Sequence, residues 1–93
     1  MIGGFRDGRT QAFFEGRHVP RFRAFADQAA RRLVMLDKAR ALGDLAAVRG
    51  NRLEALRGDR QGQHSIRINR QWRVCFEWRS DGPYNVEIVD YHD

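Results

Sequence analysis

From about residue 21 to residue 42, Phe22, Phe25, Ala29, Leu33, Leu36 and Ala39 recur at spacings of three and four, and Ala26, Ala30 and Val34 widen the same stripe. Arg23, Asp27, Arg31, Arg32 and Lys38 fall mostly off it, so the pattern predicts one long amphipathic helix with a single buried face. Lys38 and Arg40 complement the negative end of that helix, and Gly43 closes it. The small alanines let the helix approach a sheet closely.

Beyond a mixed connector with a helical turn at 45–48, the period changes from helical to two. Segments 52–56, 63–69, 72–79 and 85–91 follow one another at the close spacing of an antiparallel meander. Asn69-Arg70-Gln71 reads as a tight hairpin loop and Ser80-Asp81-Gly82-Pro83 as a looser turn, while Gly58 and Gly62 enclose the charged loop Asp59-Arg60-Gln61. Ahead of the long helix, residues 1–6 read as a short strand. Asp7 or Thr10 then caps a short helix carrying Phe13 and Phe14, which Gly16 ends. His18-Val19-Pro20 breaks the chain, and His18 beside a proline reads as a surface residue. The sum is an α+β fold in one domain over residues 1–93: a short N-terminal strand, two helices, then an antiparallel meander with the helices on one sheet face.

Alternation assigns the two faces of the sheet. Ile66 and Ile68, then Trp72, Val74, Phe76 and Trp78, then Val86 and Ile88 point to the helices. Ser65, Arg67, Arg73, Cys75, Glu77, Glu87, Val89 and Tyr91 are left on the open face. His64 shares the parity of Ile66 and points coreward.

Composition adds a bias. The chain has 17 basic and 12 acidic residues, a net charge of +5, and Lys38 is its only lysine. Arginine binds phosphate through two parallel hydrogen bonds and stacks on bases, which suits nucleic acid or an acidic partner; a GC-rich genome produces the same bias. No run of about 18 apolar residues and no export signal is present, which points to the cytoplasm and away from membranes. Cys75 is the single cysteine, so no internal disulfide forms, and without clustered histidines the expectation is no metal and no cofactor. Cys75 reads as a structural thiol.

Charge and faces meet in one constellation. Arg57 and Arg60 flank a Gly-Asp turn, Arg67 and Arg73 stand on neighbouring strands, Arg70 sits at the hairpin between them, and Tyr91 and His92 come from the last strand. Such a face suits a single RNA strand, with arginine on phosphates and tyrosine on a base. A solvated face balanced by Glu54, Asp59 and Glu77 is the structural alternative.

The run Gly58-Asp59-Arg60-Gln61-Gly62-Gln63-His64-Ser65-Ile66-Arg67-Ile68-Asn69, then Gln71-Trp72-Arg73-Val74-Cys75-Phe76 and the closing Val89-Asp90-Tyr91-His92, resembles the HigB-like plasmid maintenance system killer toxins of the RelE/ParE superfamily. Met1-Ile2, Phe5 and Phe13-Phe14 are also similar, so the likeness spans essentially the whole chain. The resemblance implies a RelE-like fold and the toxin of a type II toxin-antitoxin pair. Such a toxin cuts mRNA in the ribosomal A site without a metal, and a helix-turn-helix, HigA-like antitoxin holds it inactive.

The implied chemistry is attack by the RNA 2′-hydroxyl on the adjacent phosphate, which calls for an acid, a base and cations around the phosphorane. By resemblance His92 is the acid or base, Tyr91 stacks on a base or donates a proton, Arg73 stabilises the phosphorane and Arg57 belongs to the same cradle. Asp90 orients His92 or shares its proton, or else makes a plain strand-end hydrogen bond. Some members of the family carry a histidine two residues before the leucine of the turn Leu56-Arg57-Gly58-Asp59; here that position is Glu54, which either serves as a weaker base or holds an arginine in place. Two alternatives stay open: a non-catalytic ParE-like inhibitor of DNA gyrase, and a plain nucleic-acid or partner-binding module.

Overall fold

The computed structural model describes residues 1–91. Helix α1 (Gly8–Phe14) begins at Asp7, whose carboxylate accepts from the Thr10 N–H, and ends in a left-handed Gly16 at φ +96°. The Gly16 N–H donates to the Phe13 carbonyl and the Arg17 N–H to the Ala12 carbonyl, the paired bonds of a glycine-closed helix end.

The single long helix expected over 21–42 is divided. Pro20–Phe25 forms a 3-10 turn, α2 runs over Ala26–Lys38, and a separate α3 spans Leu42–Ala46. Phe22 and Phe25, three apart, fall on one side of a 3-10 turn. Both rings reach Trp72, at 6.0 and 4.8 Å between centroids. A spacing of three fits either helix type, so periodicity alone could not separate them. At the other end Ala39 is extended, and the Asp44 carboxylate reaches back to the N–H groups of Arg40 and Ala41 at 2.9 and 3.2 Å. That acceptor starts a new helix, so Gly43 lies inside α3 and does not close the preceding one.

The sheet is the expected meander, with strand order β1-β2-β3-β4. The strands are β1 (Glu54–Ala55), β2 (His64–Arg67), β3 (Trp72–Arg79) and β4 (Gly82–Asp90), each antiparallel to the next. β1 is shorter than predicted. β4 starts earlier, because Arg79 pairs directly with Gly82 at φ +131°, so the looser turn expected at 80–83 is a tight hairpin. The register shifts between Cys75 and Glu77, where Asn85 at φ +53° takes up an extra residue.

The expected first strand is reduced to one parallel bridge, Phe5 to Val86, on the outer edge of β4. Three backbone bonds hold this segment there: Gly3 N–H to Pro83, Arg6 N–H to Val86, and Val86 N–H to Gly4. Farther along, the buried Thr10 hydroxyl accepts from the Ile88 N–H at 3.0 Å. Gly3 packs so close to Tyr84 that a Cβ there would lie 2.3 Å from the ring.

Ile66, Ile68, Trp72, Val74, Phe76, Val86 and Ile88 are buried against Phe22, Phe25, Ala29, Leu33 and Leu36, as the alternation requires. Among the described residues, no helix is long and apolar enough to cross a membrane.

Candidate nucleic-acid interface

The face away from the helices carries two registered rows. Glu54, Ser65, Cys75 and Glu87 pair in sequence across all four strands; Arg67, Arg73 and Val89 form the next row. Ser65 and Cys75, both fully buried, make a small-residue floor with a carboxylate at each end. Burial pushes the Cys75 thiol up to about 11, against the smaller influence of Arg60 and Arg73, so it stays protonated at neutral pH. It is a structural thiol.

Arg73 lies across this floor. Its Nη1 donates to Ser65 Oγ at 3.0 Å and stands 3.3 Å from Glu54 Oε1, while its guanidinium sits 5.3 Å from the Tyr91 ring centroid. The side chain is only 18% exposed, so three neighbours fix a charge that is partly withdrawn from water. Tyr91 follows β4, and its N–H donates to the Gln71 carbonyl at 2.6 Å. Asp90 pairs with Trp72 in register, and its carboxylate accepts from Gln71 Nε2 at 3.1 Å. His92 lies outside the described residues.

Glu54, Ala55, Leu56, Arg57 and Tyr91 line a cleft of about 390 Å³ beside Arg73. Arg57 precedes the 3-10 turn Gly58–Arg60, and buried Leu56 anchors it to the sheet through its N–H bond to the Gln63 carbonyl. The cleft therefore brings together a carboxylate, a phenol and a cation. Those are the group types that proton transfer beside a phosphate requires.

The remaining predicted arginines divide. Arg60 turns from the cleft: its guanidinium donates to Gln63 Oε1 and to Glu87 Oε1, both at 3.1 Å, and Arg6 approaches the same Glu87 oxygen at 3.5 Å. Arg67 and Arg70 line a second recess with Asn69, Arg73 and Arg52. Arg67 donates from Nε to the Asn69 carbonyl, and its own carbonyl accepts from Arg32 at 2.8 Å. His64 stacks on Phe76 at 6.2 Å between centroids, in keeping with its coreward parity.

Sequence reasoning passed over two contributors. Ser65, the anchor of Arg73, had the correct parity and only lacked a reason to be singled out. Arg52 gave no signal, because it was read as the start of a strand whereas it closes the 3-10 turn Arg49–Asn51 in a left-handed conformation, φ 46° and ψ 53°.

The chain matches the family model for the RelE-like toxin of the type II toxin-antitoxin system HigB over residues 4–92. It is 38% identical over 90 residues to Toxin HigB-1 of Vibrio cholerae serotype O1, covering 95% of this chain and 94% of that protein. It is also 33% identical over 66 residues to Endoribonuclease HigB of Proteus vulgaris, covering 71% of each. With the expected helices and meander in place and a match that spans nearly every residue, the chain belongs to the HigB-like toxins of type II toxin-antitoxin systems.

Proposed function

We propose that this toxin is an endoribonuclease that cuts mRNA in the ribosomal A site by attack of the RNA 2′-hydroxyl on its own 3′-phosphate. The observation that carries the reading is Arg73, held by Ser65, Glu54 and Tyr91 at the rim of a cleft that also contains Arg57. A fixed guanidinium that need not reorganise is the kind of donor that lowers the energy of a phosphorane.

In this reading Glu54 accepts the 2′-hydroxyl proton, and Arg73 and Arg57 neutralise the equatorial oxygens. Tyr91 stacks on a base or donates a proton, and His92 protonates the departing 5′-oxygen, imidazole being the side chain best suited to proton transfer at neutral pH. Asp90, already bonded to Gln71, orients the end of the strand. Arg67 and Arg70 bind flanking phosphates, and Arg60 joins them only by leaving Glu87. The nucleophile is the substrate's own hydroxyl, so no step is routed through a metal ion. The cognate antitoxin is a helix-turn-helix protein of the HigA type, and the toxin works in the cytoplasm, where ribosomes and mRNA are.

Expression in a bacterium with mapping of transcript 5′ ends tests this. Cuts phased to the reading frame are expected, and His92→Ala, Tyr91→Ala and Arg73→Ala should abolish them without unfolding the protein. DNA breaks with trapped gyrase in place of RNA ends would overturn the reading.

A further inference from the structure

Beside the catalytic cleft, the recess lined by Arg52, Arg67, Asn69, Arg70 and Arg73 measures about 270 Å³ and has four arginines and no carboxylate in its wall. Among the described residues Arg52 and Arg70 have no ion-pair or hydrogen-bond partner for their side chains. Of the four only Arg73 has a carboxylate partner, Glu54 in the neighbouring cleft, and like charges gathered with so little counter-charge repel one another until an anion enters.

Arg52 is also held in a backbone conformation that disfavours it. At φ 46° it occupies the left-handed region, where glycine or asparagine normally closes a helical turn. The turn is secured from inside: buried Asn51 donates from Nδ2 to the Leu45 carbonyl at 3.0 Å and lies 3.0 Å from Met35 Sδ. The strain is thus maintained by the fold while the side chain projects at the recess. Glycine would satisfy the backbone better, so what arginine adds here is its guanidinium.

Nothing in the wall can move a proton. Guanidinium groups stay charged, and the Asn69 side-chain oxygen is occupied by the N–H groups of Gln71 and Trp72 at 2.9 and 2.8 Å. The recess can hold an anion but cannot cut it, in contrast to the cleft with Glu54 and Tyr91. Arg73 joins the two, since it lines the recess and bonds to Glu54 in the cleft.

We propose that this recess seats a backbone phosphate of the RNA adjoining the scissile one, with Arg52 and Arg70 as its uncommitted cations and Arg73 as the shared wall. The assignment rests on the functional reading above and extends it by giving one flanking phosphate a defined seat and by adding Arg52. Two phosphates seated on either side of Arg73 fix the line along which the strand crosses the sheet.

The test uses the full chain and 2′-O-methyl RNA tetranucleotides, which cannot be cut, each carrying one neutral methylphosphonate linkage. Arg52→Gly suits the left-handed turn and preserves the fold; Arg70→Ala lies on an exposed hairpin and serves as the second variant. Each should weaken binding of the fully charged RNA about fivefold to tenfold and lower its salt slope by about 0.7. For one neutralised linkage, and only that one, variant and wild type should bind alike. Equal losses on every oligonucleotide, or no loss on any, overturn the proposal. So does competition by inorganic phosphate with no linkage dependence, which would mark a free-anion site. Ribosome-dependent cleavage by the wild type is followed in parallel. If it is absent while the linkage dependence persists, the phosphate seat stands and the catalytic reading falls; cleavage without linkage dependence removes the seat alone.

Discussion

Two corners of one sheet face use the same side chain to opposite ends. At the first, Arg60 and Arg6 converge on Glu87, and Gln63 takes up a further Arg60 donor, so the charge is consumed inside the protein. At the second, Arg52, Arg67, Arg70 and Arg73 surround a recess with no acid in its wall. The difference lies in where the carboxylates fall in the register. Glu54 and Glu87 cap the two ends of the row through Ser65 and Cys75, and no acid stands in the row of Arg67, Arg73 and Val89. Counting arginines is therefore a poor guide to ligand binding, whereas the registered position of each acid separates structural cations from cations held for a ligand.

Arg73 stands between the corners, and removing it breaks the comparison most severely. Arg73→Ala should lower ribosome-dependent cleavage by about 10²–10³-fold, the loss typical of one preorganised donor to a developing anion. Arg73→Lys should recover little of it, since Nη1 alone contacts both Ser65 and Glu54, and an ammonium in its place would leave no Nη2 or Nε donor for the phosphorane and no planar group beside Tyr91. Single-turnover kinetics on programmed ribosomes, with thermal melting to confirm the fold, measure both. A near-wild-type rate in Arg73→Ala would remove Arg73 from the chemistry, and one in Arg73→Lys would reduce its role to that of a point charge.

Glu54 sharpens the contrast between the two carboxylates that end the row. Glu54→Gln should slow cleavage by about 10²-fold if its carboxylate takes the proton, while Glu87→Gln, away from the cleft, should leave the single-turnover rate within about twofold. Equal effects from the two substitutions would mean that Glu54 only holds an arginine.

Stability separates the corners next. Arg60→Ala should cost about 1 kcal/mol in denaturant unfolding, because it leaves a largely buried Glu87 with only the exposed Arg6. Arg70→Ala should stay within about 0.5 kcal/mol, as for a surface residue without partners, while weakening RNA binding. A reversed order would contradict the division into paired and uncommitted cations.

The smallest effect concerns the floor beneath both corners. Cys75 is raised by burial from 9.0 to about 11, so the unfolded chain releases its proton first as pH rises. Its contribution to stability is full below about 9 and lost as pH rises towards about 11. Urea midpoints across that window should fall less steeply for Cys75→Ala than for the wild type.

The core and the open face were legible in the sequence because β2 and β3 alternate without interruption, and because Val86 and Ile88 lie after the irregularity at Asn85. A parity count carried back through Asn85 would have put Tyr84 on the wrong side. The division of the long helix escaped because its causes are a 3-10 turn that keeps the spacing of three and a reach back by Asp44. The commitment of Arg60 to Glu87 spans 27 positions and depends on that same register, which no local pattern encodes. Arg52 was hidden for a third reason: its role comes from a left-handed turn that glycine or asparagine would ordinarily announce.

The hold of residues 3–6 and Thr10 on the outer margin of β4 bears on how any second protein meets this toxin. An unpaired strand margin invites an incoming chain to extend the sheet, whether that chain is a regulator or another copy of itself. Here the Val86 N–H and carbonyl, the Pro83 carbonyl and the Ile88 N–H are already satisfied from within, and the opposite margin is the two-residue β1. A chain that extended the sheet at β4 would first have to displace residues 3–6 from Pro83 and Val86.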